Sequence, residues 1–244
     1  MGLSVTVLGC SGSYAGPDNA CSGYLVRSDT TTLWVDFGPG TLANAQRHVD
    51  LRSVDAVVLS HNHPDHYGDF PVLRNALRYY LEIEGVPAYG PAEVLALTEA
   101  VIPDGLSPTL LWETVADGDE VEIGDLALRF SQTDHPVETL AVRVDGAGRS
   151  FAYSADTGPG WSFEELGSDL DTALCEVTLT VAQEGMAPHL SGREAGEMCA
   201  KAGVGRILVT HVPPTGDPEV NGRETAEAFG GPIEVVEVNR SYEL

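Results

Sequence analysis

The chain has 244 residues, 43% of them hydrophobic, enough to bury a substantial core without disulfide support. Its 37 acidic and 13 basic residues leave a formal charge of −24, and Lys201 is its sole lysine; with no Lys/Arg cluster beyond the pair Arg74 and Arg78, nucleic-acid polymers are not expected as partners. No apolar stretch is long enough to cross a bilayer, and Met1-Gly2-Leu3-Ser4 leads into a strand without the basic and apolar regions of an export signal, so a cytoplasmic protein without membrane contact is expected.

In chain order, apolar alternation predicts strands near 3–8, 23–27 and 32–37, then a helix near 41–49. His48 lies in that helix with no potential co-ligand nearby and reads as a solvated surface residue. The run Asp55-Ala56-Val57-Val58-Leu59-Ser60 is a buried strand, and His61-Asn62-His63-Pro64-Asp65-His66 follows it directly. A helix over 69–83 comes next, with Phe70, Leu73, Leu77, Tyr80 and Leu81 on its apolar face and Asp69 as its cap. A strand near 86–90 and a helix near 91–100 precede strands near 126–133, 139–144, 150–155 and 172–176. The helix over 191–202 carries the capping box Ser191-x-x-Glu194, a buried stripe of Ala195, Met198, Cys199 and Ala202, and a stop at Gly203. A strand near 206–210, a helix near 219–229 and a strand near 233–238 complete the series. The interleaving of strands and helices indicates α/β or α+β. No linker or repeat divides the chain, so one domain over 1–244 is expected.

The hexapeptide is the densest chemical signal. A tight loop leaving a strand can aim three imidazoles and a carboxylate at one point, and these are the nitrogen and oxygen ligands of Zn²⁺ and similar cations. His135, Asp156 and His211 each follow a strand-like run, so candidate ligands recur where strands end. In layered α/β proteins such loops build the site. The cysteines, Cys10, Cys21, Cys175 and Cys199, form no Cys-x-x-Cys pair and read as free, mostly buried thiols. Cys10 lies close to the site in a Gly/Ser loop, where a structural role is favoured. Ser11 and Ser13 in that loop could serve a substrate or simply a tight turn.

The ordered set His61, His63, Asp65, His66, His135, Asp156 and His211 resembles the metallo-β-lactamase fold hydrolases. Leu33-Trp34-Val35-Asp36-Phe37-Gly38 is similar to that family's strand ending in an aspartate that orients a ligand histidine. His189-Leu190-Ser191-Gly192 is similar to the segment marking the ribonuclease Z-like phosphodiesterase branch. Leu8-Gly9-Cys10-Ser11-Gly12-Ser13 and Tyr153-Ser154-Ala155-Asp156-Thr157-Gly158 extend the likeness to bacterial cyclic nucleotide phosphodiesterases of this fold. The resemblance implies an αββα sandwich of two mixed sheets. It implies two divalent metals, Zn with Mn or Fe as alternatives. His61, His63 and His135 would hold the first, Asp65, His66 and His211 the second, and Asp156 would bridge them. Asp65 would also steer the nucleophile, His189 would serve the leaving group, and Glu176 would orient His189. The expected substrate is a small anionic phosphodiester, a cyclic nucleotide foremost, with a homodimer as an open assembly state.

Alternatives stay in play: hydrolysis of a thioester, lactone or β-lactam, ribonuclease Z-like RNA processing, or a degenerate binding protein. The missing export signal weighs against a β-lactamase and the −24 charge against RNA. A degenerate scaffold would be expected to lack a ligand, and all seven are present.

Overall fold

Alternation along the central strands divides their side chains between two cores, and this sets the layering. The computed structural model describes residues 2–244. In β1 (Ser4–Gly9), Val5 and Val7 face one core and Leu8 the other; in β3 (Thr32–Val35), Leu33 and Val35 oppose Trp34; in β4 (Ala56–Val58), Ala56 and Val58 oppose Val57. The same division holds in β10 (Arg149–Tyr153), β11 (Thr172–Glu176) and β12 (Arg206–Thr210), where Phe151, Tyr153, Leu174 and Leu208 face inward while Ala152, Ala173, Cys175, Ile207 and Val209 face outward. Strands covered on both faces read as continuous apolar runs, which made these strands recognisable.

The inward sets form one core between two seven-stranded mixed sheets. The first sheet runs β14 (Ser241–Glu243), β1, β2 (Gly23–Arg27), β3, β4, β5 (Val86–Gly90), β6 (Leu110–Thr114); the second runs β13 (Ile233–Val235), β12, β11, β10, β9 (Leu140–Gly146), β8 (Leu126–Gln132), β7 (Glu120–Ile123). Helices α1 (Thr41–Ala45), α3 (Phe70–Ala76) and α4 (Ala92–Val101) cover the first sheet. Helix α5 (Gly192–Lys201) covers the second, with α6 (Pro218–Phe229) packed on it. This is the expected αββα sandwich. α5 and α6 close tightly because a Cβ on Gly192 would lie 2.8 Å from Asn221 O and one on Gly196 2.7 Å from Thr225 O.

Helix α5 has the expected capping box: Glu194 N donates to Ser191 Oγ and Ser191 N to Glu194 Oε2. The 69–83 helix departs from expectation in two ways. It becomes a π-helix over Leu77–Leu81, whose wider turn shifts the register, so Tyr80 is 83% exposed instead of joining Phe70, Leu73 and Leu77 in the core. Asp69 holds the expected N-cap position, but its side chain makes no bond to its own helix; its Oδ2 accepts from Gly40 N and Leu42 N, capping α1 across space. The predicted 41–49 helix closes at Ala45, and His48 is half-buried with Nε2 at 2.9 Å from Asn239 Oδ1. Among the described residues, no helix is long and apolar enough to cross a membrane.

Parallel pairing decides where the site forms. Phe151 pairs with Thr172 and Glu176 with Thr210, so β10, β11 and β12 end along one edge of their sheet. Val35 pairs with Val58, so β3 and β4 likewise deliver their following loops side by side.

Candidate metal centre

Those strand ends carry the chemistry. After β4 the chain turns into the single-turn helix α2 (Pro64–Tyr67) with Pro64 in its first turn, which folds Asp65 and His66 back beside His61 and His63. Asp36 follows β3, His135 follows β8, Asp156 follows β10, Glu176 ends β11 and His211 follows β12. Asp36, Ala155 and His211 hold φ values of 58°, 50° and 64°, left-handed conformations that cost non-glycine residues energy and cluster where side chains must be re-aimed. Gly12 makes room for one of these turns: a Cβ there would lie 2.4 Å from His211 O.

The ligand atoms form two groups. His61, His63, His135 and Asp156 each place one donor atom within 4.8 Å of the others, and so do Asp65, His66, Asp156 and His211. Asp156 divides its oxygens between the groups. Oδ2 lies 3.7 Å from His61 Nε2 and 3.9 Å from His135 Nε2, while Oδ1 lies 3.2 Å from His66 Nε2 and 3.3 Å from His211 Nε2. His63 Nδ1 stands 3.1 Å from His135 Nε2. All seven residues singled out in the sequence are therefore brought together, in the same two sets.

The donor chemistry fits cations. His66 Nδ1 lies 2.8 Å from Asp36 Oδ2 and His211 Nδ1 lies 2.8 Å from Thr178 Oγ1, so the far nitrogens are left to carry lone pairs in the neutral rings. Yet His66 Nε2 and His211 Nε2 face each other at 3.1 Å, and His61 Nε2 and Asp156 Oδ1 are buried without a hydrogen-bond partner. Buried lone pairs and carboxylate oxygens turned on one another repel unless positive charge lies between them. The electrostatics agree. Burial opposes charge on His66, yet Asp156 and Asp36 outweigh it and raise its pKa well above the ordinary value, so this point favours positive charge, as a proton on Nε2 or a cation in its place. Burial also opposes the Asp65 and Asp156 carboxylates, yet the neighbouring imidazoles of His211 and His66 hold both below the usual range. His61 is pushed low by burial and by the neighbouring His66. An imidazole and carboxylate set without thiolate suits a divalent metal.

Several supporting side chains were not evident in the sequence. Ser60 N and Oγ donate to the two oxygens of Asp36, Tyr153 Oη donates to Asp36 Oδ2, and Thr178 Oγ1 donates to Glu176 Oε2 at 2.7 Å. The signal available was a hydroxyl within three residues of a candidate site residue at a strand end. In the Gly/Ser loop, Ser13 N donates to Asp65 Oδ2 at 2.7 Å, and Ser11 Oγ closes the turn on Tyr14 O. All four cysteines are buried and free, and burial pushes the Cys10 thiol up to about 12, consistent with a structural role.

His189 differs from the other imidazoles. Its Nδ1 lies 2.8 Å from Glu176 Oε1, whose position Thr157 N also fixes at 2.9 Å. Its ring stacks on His211 at 5.6 Å between centroids and lies 5.4 Å from that of His135, next to both ligand groups. Its side chain is 14% exposed, against 2% or less for His61, His66, His135 and His211, so it reaches solvent from within the cluster, as the half-buried His63 also does. Burial disfavours its cation, but Glu176 outweighs this and the pKa is pushed up to about 9.

The pattern of the Beta-lactamase superfamily domain matches residues 31–212. The uncharacterized protein Rv1339 of Mycobacterium tuberculosis is 39% identical over 253 aligned residues, covering 99% of this chain and 92% of that protein. The metallo-β-lactamase fold protein YhfI of Bacillus subtilis, described as a probable metallo-hydrolase, superposes with a TM-score of 0.91 at 28% identity, covering 99% of both chains. A ribonuclease Z of Mycobacterium bovis is 27% identical over 266 aligned residues, 96% of this chain and 95% of that enzyme.

Proposed function

Because the chain belongs to the β-lactamase superfamily domain family, we propose that it is a dinuclear metal hydrolase of small phosphodiesters, with cyclic nucleotides as the leading substrates. His61, His63 and His135 would hold one cation and Asp65, His66 and His211 the other, with Asp156 shared; Zn²⁺ suits these ligands, and Mn or Fe are compatible. Bound there, the cations would lower the pKa of water from about 15.7 to about 7 and neutralise charge on phosphoryl oxygens. Asp65, held by Ser13 N, would steer the attacking water. His189, held through Nδ1 by Glu176, turns its other nitrogen to the leaving oxygen or to a non-bridging one.

The observation that carries the phosphodiester reading is His189 itself: a solvent-reaching imidazole, anchored on a buried carboxylate, beside both ligand groups. Purified, metal-analysed protein assayed on bis(p-nitrophenyl) phosphate, 2′,3′- and 3′,5′-cyclic nucleotides, a thioester and nitrocefin tests it. Turnover of the phosphodiesters is expected. Turnover confined to the thioester or nitrocefin would transfer the site to carboxyl chemistry. Elemental analysis should find about two metals per chain, matching the two ligand groups; a value near zero after metal-replete expression removes the dinuclear reading.

The ribonuclease Z likeness makes RNA the specific rival. Against it stand the −24 charge and the fate of the one candidate basic pair. Arg74 is buried against Gly105 O and Asp104, and the partly exposed Arg78 donates to Ser107 O close to the same aspartate, so the pair does not form an open basic patch. No appreciable cleavage of precursor transfer RNA is expected at physiological salt. Efficient cutting at a 3′ end in a gel assay would show that charge does not govern substrate choice here.

A further inference from the structure

Two buried carboxylates each serve a pair of imidazoles, one directly and one through a hydroxyl. Asp36 Oδ2 meets His66 Nδ1 at 2.8 Å and accepts from Ser60 Oγ at 2.8 Å, while Ser60 Oγ lies 3.0 Å from His61 Nδ1. Glu176 repeats the arrangement across the site. Its Oε1 meets His189 Nδ1 at 2.8 Å, its Oε2 accepts from Thr178 Oγ1 at 2.7 Å, and Thr178 Oγ1 lies 2.8 Å from His211 Nδ1. A threonine hydroxyl has one hydrogen. An ionised Glu176 can only accept, so that hydrogen goes to Glu176 and Thr178 Oγ1 must accept from His211. The proton of His211 is thereby placed on Nδ1, and its Nε2 lone pair is turned toward Asp65 and Asp156, 3.2 and 3.3 Å away.

We propose that Thr178 is a positioning residue that fixes the tautomer and ring orientation of His211, and that Glu176 thereby anchors both the second cation site and His189. The inference rests on the two-cation reading and goes beyond it by making Glu176 the shared base of a ligand and a catalytic group. The hydroxyl does this at close range from a half-buried position, where an imidazole without its partner can rotate or take the other tautomer. Groups that orient metal ligands in this way are typically worth about 10–100-fold in metal affinity.

The test is metal titration of the holoenzyme and its variants against a competing chelator, with zinc as the probe. Thr178→Val keeps the side-chain shape and removes the hydroxyl. It should bind one zinc with wild-type affinity and the other about 10–100-fold more weakly, and Thr178→Ser should restore the second. Ser60→Ala should weaken the other site instead. Wild-type affinity for both zincs in folded Thr178→Val overturns the proposal. A wild-type protein that takes up no zinc fails earlier, at the two-cation reading, so the two failures are distinct. If Thr178→Val does not fold, nitrogen-edited NMR of the zinc-loaded wild type decides: a slowly exchanging Nδ1 proton on His211 is expected, and a rapidly exchanging or absent one overturns the proposal.

Discussion

His61→Ala is expected to lose metal and activity together, on every substrate. The ring is fully buried, its Nε2 has no protein partner, and its Nδ1 is held through Ser60 on Asp36, so a protein-side interaction holds the ring while the far nitrogen stands free for a cation. Removing it leaves His63 and His135 with Asp156, a set short of one imidazole in a site that cannot recruit a replacement side chain. Metal content should fall from about two per chain toward one, and turnover of p-nitrophenyl and nucleotide esters alike should drop by on the order of 10³ or more, since metal catalysis supplies several kcal/mol. A second readout is independent of turnover. Chelation should lower the melting temperature of the wild type, because a ligand bound to the native state stabilises it by mass action, and should lower that of His61→Ala less. Full metal content with intact turnover in His61→Ala would place the centre elsewhere.

The interior of this fold was legible because its strands are covered on both faces. Runs such as Ala56-Val57-Val58 and Ile207-Leu208-Val209 admit few readings but a buried strand. The strands the sequence concealed lie at the sheet margins: β6 and β14 bound the first sheet and β7 the second. β7 reads Glu-Val-Glu-Ile and β14 Ser-Tyr-Glu, short and studded with charge. Edge strands are commonly built so, since one face or rim meets water and charge discourages stray pairing. In β7 and β14 the pattern that identifies core strands is absent for a physical reason.

The site divides the same way. Its candidate ligands could be picked out because metal binding demands particular side chains, and because parallel strands end together. The supporting shell could not, because its members are common residues whose meaning comes from tertiary distance. Ser60 is adjacent to His61 in sequence, but its role depends on Asp36 from another strand; Tyr153 reaches the same carboxylate from the opposite sheet. Asp69 shows the converse error. The sequence favoured a cap on its own helix, whereas the fold offers it the free amides of Gly40 and Leu42.

His189→Ala should separate the chemistry of the leaving group from the integrity of the metal centre. A phosphodiester puts charge on two non-bridging oxygens and on the departing alkoxide, and two cations cannot reach all of them at once. The imidazole of His189 is placed to supply the remaining contact, being fixed by Glu176 at 2.8 Å yet open to solvent beside both ligand groups. A general acid or electrostatic donor is typically worth about 10²–10⁴ in rate. Turnover of a cyclic nucleotide, whose leaving alkoxide needs a proton, should fall by that amount, while zinc content stays at the wild-type value. Turnover of bis(p-nitrophenyl) phosphate should fall far less, because p-nitrophenolate leaves readily without protonation. The comparison of the two esters on one variant therefore reads the role directly. An equal loss on both assigns His189 to charge stabilisation or positioning of the phosphoryl group. Loss of zinc makes it a ligand, in line with its place beside His211 and Glu176 in a third potential donor group. Unchanged turnover of both esters would leave the phosphodiesterase reading without the residue that carries it.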